Sequence, residues 1–401
     1  MSTLAAAEPY TTRFQTAVST VDGRDVTLET TYFYPESGGQ PADRGEIDGI
    51  DVEHVRKEGE RVVHTLSTAP AWSAGHRALC EVDWSFRMYC MRAHTASHAL
   101  YGAGRRVLDD LGYGGFGIDE EKVRIDFRTS TDVTDSTLVE LERLVNEAVW
   151  DSRDVSWEEV PLSEARERDD VAFNTRTEEG VFGEADTVRI VTVEEWDAAA
   201  CGGTHARNTR EVGPVTLLDR SNPGEGLTRV EFAVGGAGID RRATEKAAAL
   251  DATTALGTSV ADLPAAVERL QAERSELAKE VERLRSEALD HRLERLCSDP
   301  VEREGRTWVV GTVDGVGPND VDDRARELAG QRADVVALVG RDDPPFVVVG
   351  AAAGADAIVD DVTAAFGGGG GGSDRVAQAG GLSGDPETIA AYLKSGEIPD
   401  G

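Results

Sequence analysis

Over the first 85 residues apolar and polar positions alternate in short stretches that turn-forming residues interrupt. Residues 25–34, 61–66 and 78–84 read as strands, with turns at Ser37-Gly38-Gly39 and Asp43-Arg44-Gly45, so residues 1–85 are expected to form a small β-barrel-like domain. From Phe86 the period lengthens. Ala96, Ala99, Leu100, Ala103 and Val107 fall on or near one stripe of a helix expected over residues 92–111. A strand at 122–127, a helix at 136–150 and strands at 186–193 and 212–218 follow, and residues 86–240 read as one α+β domain.

Further on, Val260, Leu263, Val267, Leu270, Leu277, Val281, Leu284 and Ala288 occupy heptad a and d positions, interrupted only by Arg274 and flanked by Glu and Arg. This pattern predicts one long helix over residues 241–297, within a segment 241–299 that Pro300 ends. Its apolar seam suits a paired coiled coil and therefore a homodimer; packing back on its own chain is the alternative. Residues 300–401 alternate strands (307–311, 335–340, 346–351) with a helix (320–331) and then an alanine-rich helix, giving a small α/β domain. Six glycines, Gly367 to Gly372, follow inside that domain. With Asp374, Arg375, Gln378 and Gly380-Gly381 after them, they read as a backbone-lined binding loop in preference to a linker. The whole is α+β.

Composition adjusts this picture in three ways. A chain of 401 residues with 40% hydrophobic residues has two to four domains and enough apolar surface for ordinary cores. No apolar run approaches the roughly 18 residues of a membrane span, and no basic-then-apolar leader opens the chain, so a soluble, cytoplasmic protein is expected. The formal net charge is −33 and only Lys57, Lys122, Lys246, Lys279 and Lys394 are lysines. Acids spread over every segment suit a salty cytoplasm, where screening is short-ranged, and so net charge says little about partners. Of the four cysteines, Cys80, Cys90 and Cys297 have apolar or helical surroundings and read as core residues, which leaves Cys201 for chemistry.

Cys201 has company. His94 and His98 stand four apart in the expected helix, so both imidazoles leave one face. Cys201 and His205 are also four apart, across Gly202-Gly203, which favours a loop. Three imidazoles and one thiolate suit a tetrahedral Zn²⁺, one per chain. Four protein ligands saturate such an ion, and on the ligands alone a structural role and a catalytic role both remain open.

His94-Thr95-Ala96-Ser97-His98 and Cys201-Gly202-Gly203-Thr204-His205 resemble the two metal motifs of the editing domain of alanyl-tRNA synthetases and of free-standing alanyl-tRNA editing proteins. Residues 33–45 (Phe-Tyr-Pro-Glu-Ser-Gly-Gly-Gln-Pro-Ala-Asp-Arg-Gly) resemble the hallmark segment of the β domain before that site. Residues 123–127 and 211–214 resemble the strand after the first metal helix and the segment after the second pair. The glycine run through Gly381 is similar to the C-terminal tRNA-associated domain of the same synthetases. With no aminoacylation domain ahead of the β domain, the long free-standing editing form, from a halophilic archaeon, is the expectation.

The resemblance implies a zinc-dependent editing domain and a hydrolase that deacylates tRNA(Ala) carrying serine, with glycine as a second substrate. It implies ester hydrolysis beside the zinc, with Ser97 and Thr204 as candidate polar contacts, and tRNA contacts from Gly368, Gly369, Gly370, Gly371, Arg375 and Gln378. The arginines of Arg105-Arg106, Arg207 with Arg210, and Arg241-Arg242 are candidates for phosphate contact. A tRNA-binding protein whose zinc is purely structural, and editing of another aminoacyl-tRNA (threonyl-tRNA synthetases have a related metal domain), are the alternatives. The sequence departs from the family in its glycine-rich turn: Gly112 to Gly117 offers only Tyr113 where relatives carry a glutamine or threonine facing the substrate. Arg210 stands where the family usually has glycine.

Overall fold

A computed structural model describes residues 3–168, 171–172 and 186–398. They form two compact units, Met1–Ala255 and Leu256–Gly401. The first unit opens with six strands, β1 (Arg13–Asp22), β2 (Asp25–Leu28), β3 (Gly45–Ile47), β4 (Ile50–Glu58), β5 (Arg61–Leu66) and β6 (Arg77–Val82), closed into a barrel in the order β1-β2-β5-β4-β3-β6. Alternation along the strands sends Val18, Val26, Ile47, Val55, Leu66 and Cys80 into one interior. The strand expected over residues 25–34 stops at Leu28. Beyond it, side chains take backbone donors that a ladder would have used: Thr30 N–H donates to Thr16 Oγ1, Phe33 N–H to Thr31 Oγ1 and Tyr34 N–H to Asp43 Oδ2.

The helix α1 (Trp84–Val107) follows, capped by Asp83, whose carboxylate accepts from Ser85 and Phe86 N–H. It begins ahead of the expected residue 92 and ends before residue 111, because Leu108 is extended and Asp110 turns the chain at φ +51°. Nearly every side chain from Cys90 to Gly104 is buried, and small residues let neighbours close in: a Cβ on Gly102 would meet the Trp196 indole at 2.4 Å. The remaining elements are β7 (Gly112–Ile118), β8 (Val123–Arg128), α2 (Asp135–Trp150), β9 (Val155–Pro161), α3 (Leu162–Glu167), β10 (Val171–Ala172), β11 (Thr187–Val193), β12 (Asp197–Ala200), β13 (Val215–Gly224), β14 (Leu227–Val234) and α4 (Gly235–Leu256). They make two four-stranded sheets, β13-β14-β8-β7 and β10-β12-β11-β9. The stretch Gly112 to Gly117 is no turn. It is strand β7, paired with β8 through a bulge at Tyr113/Gly115, where a Cβ on Gly114 would strike Leu227 and the Asp126 carbonyl.

The expected single helix over residues 241–297 is two: α4 ends at Leu256 and α5 runs Leu263–Cys297. Gly257 adopts φ +60°, Ser259 Oγ meets Asp262 Oδ2 at 2.6 Å, and Pro264 sits in the first turn of α5. The heptad count passed over these breakers, and Val260 lies in the break. In the second unit the end of α5 buries Leu289 and Leu293 against one face of a six-stranded sheet. That sheet runs β15 (Val301–Arg303), β16 (Arg306–Val313), β17 (Val335–Gly340), β18 (Phe346–Ala351), β20 (Val376–Gly380), β19 (Gly369–Gly372), with β16 and β17 parallel. Helix α6 (Pro318–Gln331) shares the α5 face, while α7 (Ala355–Phe366) and α8 (Pro386–Ser395) cover the other, so β17 and β18 are buried throughout. No helix among the described residues is long and apolar enough to cross a membrane.

The barrel is fastened to α1 by a buried ion pair. The Arg87 guanidinium, fully buried, donates to both oxygens of the equally buried Asp43, to the Pro9 carbonyl at 2.7 Å and to the Tyr32 carbonyl at 2.6 Å. Removing one partner leaves a buried charge without compensation. Arg87→Met should therefore lower unfolding stability by about 3–5 kcal/mol in urea denaturation, and adding Asp43→Asn should restore part of it. A single variant as stable as the wild type would show that the pair does not fasten the barrel.

Candidate metal centre

The four expected ligands come together. Helix α1 presents His94 and His98 one turn apart, and the irregular segment after β12 brings Cys201 and His205 to the same point, so that one donor atom from each lies within 4.8 Å of all the others. Cys201 Sγ is 3.1 Å from His94 Nε2 and 3.3 Å from His205 Nε2. Donors at zinc bond lengths around a tetrahedral ion stand roughly 3.3–3.6 Å apart, so the cluster is of the right size for that ion. Three histidines and a cysteine of this spacing fit zinc on donor chemistry as well.

Each imidazole is aimed by what its other nitrogen touches. His94 Nδ1 faces Gln40 Oε1 at 3.0 Å, His98 Nδ1 faces Asp197 Oδ2 at 3.2 Å and His205 Nδ1 faces Thr95 Oγ1 at 3.3 Å. All three Nε2 atoms are thereby left for a cation. Gln40 also ties the two ligand segments together, accepting from Thr204 N–H at 3.1 Å and donating to Thr204 Oγ1 at 2.9 Å. Gly203 is required by closeness: a Cβ there would fall 2.1 Å from the His94 ring. Arg189, from β11, clamps the loop by donating to the Cys201 and Gly203 carbonyls at 2.8 and 3.0 Å.

At Cys201 and His205 the electrostatics match the donor set. Burial on its own raises the Cys201 thiol, yet the flanking His94 and His205 bring it well below its usual value, toward the thiolate that binds metal. Burial lowers His205 well below the ordinary imidazole range. For His98 burial is outweighed by Asp197 and Cys201, which push it up to about 9. The pull of Asp197 on that ring is the electrostatic face of the same contact that orients it.

Beside the donors lies a cavity of about 300 Å³ whose walls include His94, His98, Cys201, Tyr101, Tyr113, Phe116, Arg189 and Asp197, with Tyr34, Ser37, Gly38 and Lys57 supplied by the barrel. Ser97 also reaches it, but its hydroxyl donates to the His94 carbonyl at 2.7 Å within α1. Thr204 is buried and its hydroxyl is taken by Gln40. The hydroxyls of Tyr101 and Tyr113, by contrast, make no hydrogen bond among the described residues, and their rings stand 5.5 Å apart.

The glycine-run candidates lie in the second unit. Gly369–Gly372 form the edge strand β19, paired with β20, in place of the expected loop. Glycine is needed there because a Cβ on Gly370 would meet Val359 and one on Gly372 would meet Ala377. Gly368, Gly369, Gly370, Gly371, Arg375 and Gln378 are all exposed, and a shallow groove runs between Gly369–Gly371, Gln378 and Pro318. Most of the arginine clusters have local partners: Arg105 with Asp197, Arg106 over the Trp196 ring, Arg207 over Tyr10, Arg241 with Glu245 and Arg242 with Glu142. Sequence reasoning left Gln40, Asp197 and Arg189 without a role. Gln40 sits in the hallmark segment, but its reach to His94 spans 54 residues, and nothing local marks Arg189.

Comparison with known proteins agrees with this geometry. Residues 188–231 match the threonyl and alanyl tRNA synthetase second additional domain, and residues 3–86 match the class II (A) tRNA synthetases. The chain is 34% identical over 290 residues, 71% of its length, to the alanine–tRNA ligase of Pyrococcus abyssi, of which this covers 31%. It is 32% identical over 345 residues to that of Pyrococcus furiosus, covering 85% of this chain and 37% of the relative. With the Methanococcus maripaludis ligase it shares 30% over 323 residues, 80% of this chain and 36% of the relative. The chain thus spans about a third of the length of the curated relatives it matches. By its sequence and by the domains it carries, the chain is a homologue of the alanine–tRNA ligases over most of its own length and has the second additional domain of the threonyl and alanyl tRNA synthetases.

Proposed function

We propose that the protein hydrolyses the ester of mischarged tRNA(Ala), chiefly seryl-tRNA(Ala) and also glycyl-tRNA(Ala), in the cytoplasm. The observation that carries this reading is the cavity: three of the four donors, His94, His98 and Cys201, form part of its wall, with His205 buried beside them, whereas a purely structural site has no need of one. A zinc bound there would supply Lewis acidity next to the reacting ester. Residues of the chain do the rest. Arg189 holds the Cys201 and Gly203 carbonyls still, so the cavity floor is fixed before substrate arrives. Phe116, stacked on the His94 ring at 4.5 Å, and Tyr34 exclude water from one side. The hydroxyls of Tyr101 and Tyr113, without a partner among the described residues, are polar groups available to a serine side chain; an alanine would leave them unpaired in a half-buried site.

The C-terminal unit fits a role in holding the tRNA body. Its glycine edge strand presents unhindered backbone N–H groups, with exposed Arg375 and Gln378 beside it. The same reading includes a homodimer through residues 241–297. Val267, Leu270, Leu277, Val281 and Leu284 on α5 are all exposed, Leu277 at 66%, and a second copy would cover them.

Wild-type protein purified without chelator should hold one zinc per chain and deacylate seryl-tRNA(Ala) in molar KCl. His98→Ala should lose the metal and about a hundredfold or more in rate. Elemental analysis and deacylation assays on serine-, glycine- and alanine-charged tRNA(Ala) measure both; a metal-bound wild type without deacylase activity would leave a structural zinc. Tyr113→Phe should reduce kcat/KM on the seryl ester roughly five- to tenfold and spare the glycyl ester, since only serine has a hydroxyl to lose its partner. Equal losses on both would remove Tyr113 from side-chain recognition. Light scattering should find a dimer, and Leu277→Asp a monomer of unchanged circular dichroism; a monomeric wild type would end the coiled-coil assignment.

A further inference from the structure

The cavity is built from two sides of different character. Its metal side is supplied by α1, β7, β12 and the loop after it, with the buried Asp197 carboxylate behind His98. Its other side belongs to the barrel: Tyr34, Ser37, Gly38 and Lys57. Lys57 lies on β4, is exposed, and makes no hydrogen bond or ion pair among the described residues. That is out of character for this chain, where acids outnumber bases 75 to 42 and the neighbouring Arg56 is held by Asp25 and Glu58. An ammonium without a partner among the described residues thus lines the barrel side of the cavity.

We propose that Lys57 binds the phosphodiester of the substrate's 3′-terminal nucleotide while the aminoacyl group occupies the metal side of the cavity. This rests on the hydrolase reading above and adds the part of the substrate that the metal side does not recognise. At about 300 Å³ the cavity is at the small end of sites for small molecules, so it takes the aminoacyl end and leaves the nucleic acid outside. The phosphate nearest the ester is one sugar ring away and must emerge beside the cavity mouth. Of the described residues lining the cavity, Lys57 and Arg189 are the lysine and arginine, and Arg189 has its Nη atoms on the Cys201, Gly203 and Ala6 carbonyls. Between these two, Lys57 is the one with its charged group left to meet an anion. Its contact is remote from the breaking bond and the same in ground and transition states, so it acts on KM and on which end of the substrate enters.

Three esters separate this role from a structural one: seryl-tRNA(Ala), the 3′-seryl ester of adenosine 5′-monophosphate, and the 3′-seryl ester of adenosine, which has no phosphate. Lys57→Met should raise KM about tenfold on the first two at low salt and leave kcat unchanged; on the adenosine ester it should change neither. Lys57→Arg should restore KM. The wild-type advantage on the two phosphate-bearing esters should shrink as KCl rises, because an exposed ion contact is screened. Equal losses on all three esters would mean that Lys57 shapes the cavity, and no loss on any would mean that it is a bystander; either overturns the assignment. A wild type that cleaves none of the three overturns the hydrolase reading itself, and the assignment with it.

Discussion

The buried Arg87–Asp43 pair holds the site in shape from a distance. Two opposite charges are taken out of water together, and this is tolerable only because their hydrogen-bonding groups find partners: Asp43 also accepts from Tyr34 N–H, and Arg87 reaches the Pro9 and Tyr32 carbonyls. Such a pair adds little net stability over an apolar contact of equal size, but it is intolerant of displacement. Asp43 ends the loop that contains Gln40, and Arg87 is two helical turns before His94 on α1. Fixing one against the other fixes Gln40 against His94. The barrel, which contributes no metal ligand, therefore sets the orientation of one.

From Gln40 the constraint passes to the second ligand segment. Its amide oxygen serves His94 and Thr204 N–H together, and its amide nitrogen meets the Thr204 hydroxyl, so α1, the barrel and the Cys201–His205 loop share one side chain. The loop can come this close because Gly203 has no Cβ to collide with the His94 ring, and it stays there because Arg189 grips it from the opposite strand. Gly202 differs: nothing lies within 4 Å of where its Cβ would be. In the one glycine pair, then, Gly203 is demanded by packing, and Gly202 faces open space at the cavity wall.

These two glycines show where the sequence was legible and where it was not. The ligands could be read because their chemistry is local: His94 with His98, and Cys201 with His205, each recur at four residues. The barrel was readable from alternation, and the C-terminal strands Val335–Gly340 and Phe346–Ala351 from continuous apolar runs buried on both faces. What aims the ligands was not readable, because Gln40, Asp197 and Thr95 act over 54, 99 and 110 residues through contacts that leave no periodic trace. The errors have a common origin in glycine. The stretch Gly112 to Gly117 and the run Gly367 to Gly372 suggested turn and loop, yet both put residues into strands. In each case close neighbours exclude a Cβ, Leu227 and Asp126 in one and Val359 and Ala377 in the other. A heptad count likewise saw through Gly257 and Pro264 to one helix, since hydrophobic spacing is preserved across a break that backbone angles are not.

Charge poses the last physical problem for a protein read as a tRNA hydrolase. A surface with a net charge of −33 repels a polyanion over the Debye length, and most of the clustered arginines are already engaged with Asp197, Glu142, Glu245 or aromatic rings. Counterion release, which drives most nucleic-acid binding, therefore has few cations to work with. Contacts that do not need net positive charge must take over: backbone N–H groups on the exposed glycine edge, side-chain amides such as Gln378, and a fixed cavity that recognises the aminoacyl end by shape. In concentrated salt this division is an advantage. Screening removes long-range repulsion and weakens ordinary phosphate contacts alike, while hydrogen bonds and shape lose little. The few cations without a partner among the described residues then matter by position more than by number, which is why one such lysine lining the cavity carries more meaning here than it would on a basic protein.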